Sequence, residues 1–266
     1  MGMMSVMAAR KSVLVMSLAW LLLGSGAAAA APAEAPAVPK PVDTCRDCHQ
    51  DEKFRVQNKK IYDYFQDWKG SPHDLAGVTC TGCHGGDQTK AEKDVAHQGI
   101  LPQSNPESPF HYKNIPKTCG TCHSDILARF QKSRHFEMLE KSGRGPSCIT
   151  CHGALNAKVY STTIIERACS SCHNKKTGNS PQIIAQAQQI LGHLNFANGY
   201  RNGLRFYYKT IKKPEAMTKV DAAYKDVIIF WHEFDFKKLG PRSKELLAET
   251  KALYVKAHEA PKGNAK

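Results

Sequence analysis

The 266-residue chain has no cysteine to spare. All ten cysteines fall in copies of one pentapeptide, so no thiol remains for a disulfide. It also lacks a long apolar run. The only candidate, Ser12 to Gly24, falls short of the about 20 apolar residues that cross a bilayer. Acidic residues are scarce, 24 against 37 lysines and arginines, which gives a formal charge of +13. From Val42 to Asn174 the chain shows little periodicity and many Gly, Pro and Ser breakers. That leaves little room for long regular elements or an ordinary apolar core.

What is present is Cys-x-x-Cys-His, five times over: Cys45, Cys48 and His49; Cys80, Cys83 and His84; Cys119, Cys122 and His123; Cys148, Cys151 and His152; Cys169, Cys172 and His173. Each is the attachment signature of a c-type haem. The two thiols bond to the porphyrin, and the adjacent histidine ligates the iron from one face. One copy could be a redox dithiol or half a zinc site. Zinc, however, does not require a histidine directly after every second cysteine. The expectation is five covalently bound c-type haems, with His49, His84, His123, His152 and His173 as proximal ligands.

The N-terminus reads as an export signal. Arg10 and Lys11 precede the apolar stretch, and Ala27 to Ala31 offers small-residue cleavage sites. The expected organisation is a signal peptide at 1–31, a Pro/Ala-rich leader at 32–41, a pentahaem region at 42–174 and a helical tail at 175–266. The expected compartment is the periplasm, or another exported location, with peripheral or no membrane contact. An uncleaved anchor is the alternative.

Loss of residues 1–31 removes two basic residues and lowers the charge to +11. Each haem adds two propionates, so five haems bring the chain to about +6 oxidised and about +1 reduced. The lysines therefore balance propionates and steer an acidic redox partner. They are not read as a nucleic-acid footprint.

The expected fold class is mainly α with much irregular structure, organised by the haems and completed by tail helices. Ile183, Ile184, Ala187, Ile190, Leu191, Leu194 and Ala197 recur at helical spacing, as do Ala223, Val227, Trp231 and Phe234. A third helix is expected over Ser243 to His258. Lys212-Lys213-Pro214 and Gly240-Pro241 are the expected breaks, and the helices are expected to pack antiparallel against the haems.

An internal repeat runs motif, short helix, Ser-x-His, loop, motif. Ser71-Pro72-His73 precedes the second motif and Ser133-Arg134-His135 the fourth, and both of these motifs end in His-Gly. Seven histidines lie outside the motifs, and a second imidazole on each iron would make it a low-spin electron carrier. The candidate distal ligands are His73 and His135 from the repeat, then His111, His97, His193 and His232. Upstream histidines can supply four haems, so the tail is expected to supply the fifth, with His193 favoured over His232. His258 lies in a polar stretch and reads as solvated.

The stretch from Pro109 to His173 resembles multihaem cytochromes of the hydroxylamine-oxidoreductase and nitrite-reductase superfamily, in their electron-carrier branch, which includes the tetrahaem cytochrome of ammonia oxidisers. The resemblance rests on Asn114-Ile115-Pro116-Lys117-Thr118-Cys119, Phe130-x-x-Ser133-x-His135 and Cys148-Ile149-Thr150-Cys151-His152-Gly153. It implies that Ser-x-His supplies a distal ligand. The five-motif layout is similar to the pentahaem partner of periplasmic nitrite reductase. Relatives often carry His-Gly-x-His, where this chain has Asp87 and Leu155. No Cys-x-x-Cys-Lys is present, so the lysine-ligated catalytic haem of those reductases is not expected.

These observations point to an electron carrier more than an enzyme. Its expected partners are redox proteins: a membrane quinol dehydrogenase, a terminal reductase or other cytochromes. The competing reading is an enzyme with one open haem acting on a small nitrogen or sulfur compound. A third is a unit of a larger electron-conducting assembly.

Overall fold

A computed structural model describes residues 42–153, 155 and 161–259. The proposed signal peptide and leader lie outside them. The described residues belong to one compact unit. They are mainly helical, with no strand among them.

The region from Val42 to Ser170 is a chain of short helices, the longest being Lys59–Trp68. Five residues are little more than one turn, and one turn is what Cys-x-x-Cys-His needs. The amide of His84 donates to the Cys80 carbonyl at 2.8 Å, His123 to Cys119 at 3.0 Å, and His173 to Cys169 at 2.8 Å. Such i→i−4 bonds put the cysteines and the histidine on one face. The motifs at Thr44–His49 and Cys148–His152 lie wholly within helices. After the second and fourth motifs the chain turns out of the helix at Gly85 (φ 71°) and Gly153 (φ 67°), a conformation that favours glycine.

The repeat is structural as well as sequential. Ser71 caps the Pro72–Leu75 helix by accepting from the Asp74 amide. Ser133 caps Arg134–Ser142 by accepting from Phe136. Trp68 and Phe130 stand three residues before these serines, and both are buried. Their carbonyls accept from Ser71 and Ser133 at 2.9 and 2.8 Å. An N-cap hydroxyl is worth about 1 kcal/mol. Here it also places His73 and His135 at the second position of a helix, each half-buried.

Three long helices form the tail: Gln182–Thr210, Thr218–Trp231 and Phe236–Glu259. Their apolar faces meet in a cluster of Ile190, Leu194, Ala197, Tyr224, Val227, Phe230, Leu239 and Leu246. Leu204, Met217, Val220 and Ala257 make a second cluster. Leu204 thus meets the start of the second helix, and Ile190 and Leu194 meet its end, so these two run antiparallel. His193 meets Ser243, and Gly203 meets Tyr254, so the first and third helices run in the same direction.

The break between the second and third tail helices falls at His232–Asp235, where Phe234 takes φ 56°. It does not fall at Gly240-Pro241, where the sequence pattern placed it. Pro241 lies inside the third helix, near its start. It forfeits one backbone bond there, while Leu239, Ser243 and Leu246 are buried on the same helix.

The tail is bound to the motif-bearing region at several places. Ile165 packs with Ala187 and Leu191, with Cys169, Trp231 and Phe236 against them. Glu233 receives Arg129 at 2.6 Å and Lys132 at 3.9 Å. Beside that ion pair, Phe234 lies edge-on to Phe130 and His135.

Candidate haem-binding sites

Each motif presents its histidine toward a partner, and for four of the five the partner is another histidine. His49 and His97 have ring centres 6.1 Å apart. His123 and His73 are 6.2 Å apart, His173 and His135 are 6.1 Å, and His152 and His232 are 6.2 Å. An imidazole nitrogen binds a metal at about 2 Å and lies about 1.1 Å from its ring centre. Two imidazoles on opposite sides of one iron therefore have ring centres about 6.2 Å apart. The four pairs match that span.

The protonation of these rings suits ligation, which needs a neutral imidazole. Burial, followed by the neighbouring His173, lowers the pKa of His135 to about 4. Burial, followed by His232 and His123, lowers that of His152 to about 4. His232 is lowered chiefly by burial, against backbone contacts that raise it. Three of the paired rings also hold a carbonyl with Nδ1: His97 on Lys93 at 2.7 Å, His232 on Ile228 at 3.0 Å and His173 on Ser180 at 3.2 Å. A carbonyl only accepts, so Nδ1 carries the hydrogen and Nε2 keeps the lone pair for a metal. Nδ1 of His135 is buried without a hydrogen-bond partner.

Among the described residues, no three His, Cys, Asp or Glu side chains converge to hold a metal by themselves. A structural zinc site would need such a set. Haem iron needs only two protein ligands, which is what each pair offers.

The remaining histidines stand apart from these pairs. His84 stacks on Phe110 at 3.9 Å. His111 is half-buried next to Phe110 in the chain, with no histidine ring against it among the described residues. His193 shares a hydrogen bond of 3.0 Å with Ser243 Oγ, inside the tail. His258 lies against Tyr254 and Tyr207. The tail thus brings His232 to a motif histidine, and it keeps His193 for contacts among its own helices. His73 and His135 each face the motif after the one they precede. That arrangement was not legible from their spacing, nor were the roles of Phe110, Phe234 and Glu233.

Successive motifs lie side by side. Burial raises the Cys80 thiol to about 11, with Asp43 and Cys45 nearby adding to it. Cys83, though exposed as a residue, is raised by partial desolvation and then by Cys119 and Cys122. Cys119 is lowered chiefly by the adjacent Cys148 thiol, while Cys148 is raised. Cys151 is pushed up to about 11 by burial and then by Cys169. Motif one therefore adjoins two, two adjoins three, three adjoins four and four adjoins five.

The ten motif thiols differ in exposure. Cys45, Cys80, Cys119, Cys148, Cys151 and Cys169 are half-buried, whereas Cys48, Cys83, Cys122 and Cys172 are exposed. The second cysteine of a motif thus faces outward in every case but Cys151. Cys48 and Cys172 belong to the first and fifth motifs, at the two ends of the row, and Cys83 and Cys122 to the second and third. Cys172 is held by its own loop: its Sγ accepts from Ser171 Oγ at 3.7 Å, and its carbonyl accepts from Asn179 at 2.9 Å. The Cys48 carbonyl accepts from the Asp51 amide at 3.2 Å. An exposed thiol is accessible for covalent reaction, so haem attachment at Cys48 and Cys172 is compatible with their positions.

Residues 105–174, which carry the last three motifs, match the family of cytochrome c7 and related cytochrome c. Over 135 residues the chain is 29% identical to the multiheme cytochrome MtrA of Shewanella baltica (strain OS185), a match covering 50% of this chain and 32% of that protein. Over 115 residues it is 29% identical to the C-type polyheme cytochrome OmcB of Geobacter sulfurreducens (strain DL-1 / KN400), covering 41% of this chain and 13% of that one. The chain spans a third or less of the length of these relatives. No solved structure matches it. With its repeated attachment motifs, the chain is similar to multihaem c-type cytochromes over this region.

Proposed function

We propose that the chain is an exported pentahaem electron carrier in which four haems have two histidine ligands. Bound haem supplies one-electron iron chemistry, and the protein sets ligation, spacing and polarity. The observation that carries the reading is the set of four histidine pairs at 6.1–6.2 Å, each joining one motif histidine to one histidine from elsewhere. Two imidazoles fill the iron's coordination and favour electron transfer over substrate binding. The side-by-side order of the motifs supports passage from the first haem to the fifth in chain order. Thiols that would bond adjacent haems are close enough to interact. The exposed Cys48, Cys83, Cys122 and Cys172 agree with haem edges that redox partners can reach.

In this reading residues 42–174 hold the haems, and the tail supplies His232 and braces the fourth and fifth motifs. Residues 1–31 serve export and 32–41 form a leader. Among the described residues no helix is long and apolar enough to cross a membrane. The relatives' names, multiheme and polyheme cytochromes, agree with an electron-transfer role beside protein redox partners. The Ser-x-His repeat supports a place near the hydroxylamine-oxidoreductase and nitrite-reductase superfamily.

Mass spectrometry of the denatured holoprotein tests the count: five haems should be attached and all ten thiols consumed, Cys48 and Cys172 included. A free thiol pair, or zinc in place of haem, overturns the reading.

A further inference from the structure

Four motif histidines face a second imidazole across the span that one iron needs. His84 does not. Its ring stacks on Phe110 with planes 18° apart, and among the described residues no histidine ring is in contact with it.

The repeat explains why the second motif is the exception. His73 of the first unit faces His123 of the third motif, and His135 of the second unit faces His173 of the fifth. The repeat therefore supplies the odd-numbered motifs ahead of it. The second and fourth motifs, the two that end in His-Gly, receive nothing from it. The fourth is supplied from outside the repeat, by His232. The second has no such supplement, because the tail docks on the Thr162–Ser170 helix and on Arg129 and Lys132. Asp87 stands where a His-Gly-x-His sequence would carry another imidazole.

We propose that the haem held by Cys80, Cys83 and His84 keeps its sixth coordination position for an exogenous ligand. The ligand class is a small neutral diatomic that binds ferrous iron. Binding forms one iron–ligand bond and transfers no electron or proton. The second imidazole closes the other four irons to such a ligand. This inference rests on the pentahaem reading above, and the two fail differently. A chain with fewer than five haems overturns that reading, and mass spectrometry shows it before any gas is added.

The test is carbon monoxide titration of the reduced full-length holoprotein with five haems attached. The expected uptake is one carbon monoxide per chain. In the oxidised protein, one haem should give a high-spin ferric signal. His97→Ala should raise the uptake to two, and His111→Ala should leave it at one. No uptake by the unsubstituted protein overturns the proposal. Uptake that starts only with His111→Ala overturns it too, since His111 would then be the sixth ligand. Phe110→Ala should shift the absorption of the carbon monoxide adduct while the low-spin spectra stay in place. An adduct unmoved by Phe110→Ala would put the open iron elsewhere and refute the assignment.

Discussion

Replacing His232 with Ala is the sharpest test of the pairing, because the structure predicts which haem changes and how its signal differs from the others. The His152 and His232 rings are nearly parallel, with planes 10° apart. The His73/His123 and His135/His173 pairs are nearly perpendicular, at 76° and 71°. Each imidazole donates into the iron orbital perpendicular to its own ring. Parallel rings raise the same orbital and split it from its twin, whereas perpendicular rings raise both and leave them close. The oxidised protein should therefore show a rhombic low-spin paramagnetic signal from the parallel pair, beside that of the His49/His97 pair, whose planes are 33° apart. Strongly anisotropic signals should come from the two perpendicular pairs. His232→Ala should remove the rhombic signal of the parallel pair, convert one further haem to high spin and leave the His49/His97 and anisotropic signals intact. The lost Nδ1 bond to the Ile228 carbonyl, 3.0 Å long, costs about 1 kcal/mol. In a chain of this size that lowers the melting temperature by about 2–4 °C. His193→Ala is the control. It breaks the contact with Ser243 and should cost a similar amount with no change of spin. Loss of an anisotropic signal in His232→Ala, or a new high-spin haem in His193→Ala, would refute the reasoning.

Glu233 accepts from Arg129 at 2.6 Å and is only 14% exposed, so Glu233→Gln should cost about 1–2 kcal/mol. Thermal denaturation followed at the tail's far-ultraviolet helix signal would measure this, and an unchanged melt would mean the ion pair does not brace the tail. Gly145 admits no side chain: a Cβ there would stand 2.2 Å from the His135 carbonyl oxygen and 2.4 Å from the Leu139 amide nitrogen. Gly145→Ala should displace the helix that starts after Ser133 and raise the high-spin fraction at the His135/His173 pair, leaving the parallel-ring signal in place. Asp221 gives a pH dependence. Burial opposes its ionisation, but hydrogen bonds from Arg201 and Arg205 outweigh that and hold its carboxyl below the usual range. A depressed folded value stabilises the protein above the unfolded pKa of about 3.9, and the benefit disappears as pH falls through the folded value. Asp221→Asn should therefore flatten the acid limb of the stability curve below about pH 4; equal slopes in both proteins would count against it.

What the sequence determined by itself is local. Cys-x-x-Cys-His closes one helical turn whatever surrounds it, so the attachment geometry was legible from spacing. The Ser-x-His turn was legible for the same reason, because Ser133 caps the helix through a group only three residues away. Helical spacing also located the faces of Ile190, Leu194, Val227 and Leu246, which meet in one cluster. Tertiary structure decided everything that joins distant positions. His73 faces the third motif, fifty residues along the chain, and His232 reaches the fourth from eighty residues away. No periodicity encodes such pairings. They follow from where the tail docks and from which faces the short helices must bury. The cover over Cys151, against the exposure of the second cysteine in the other four motifs, is decided in the same way. The helix break at His232–Asp235 belongs to the same class. Gly240-Pro241 carries the stronger local signal, but burying Leu239 and Leu246 on one face outweighs the backbone bond that Pro241 gives up. That choice sets His232 at the end of its helix, beside His152, and leaves His193 to Ser243.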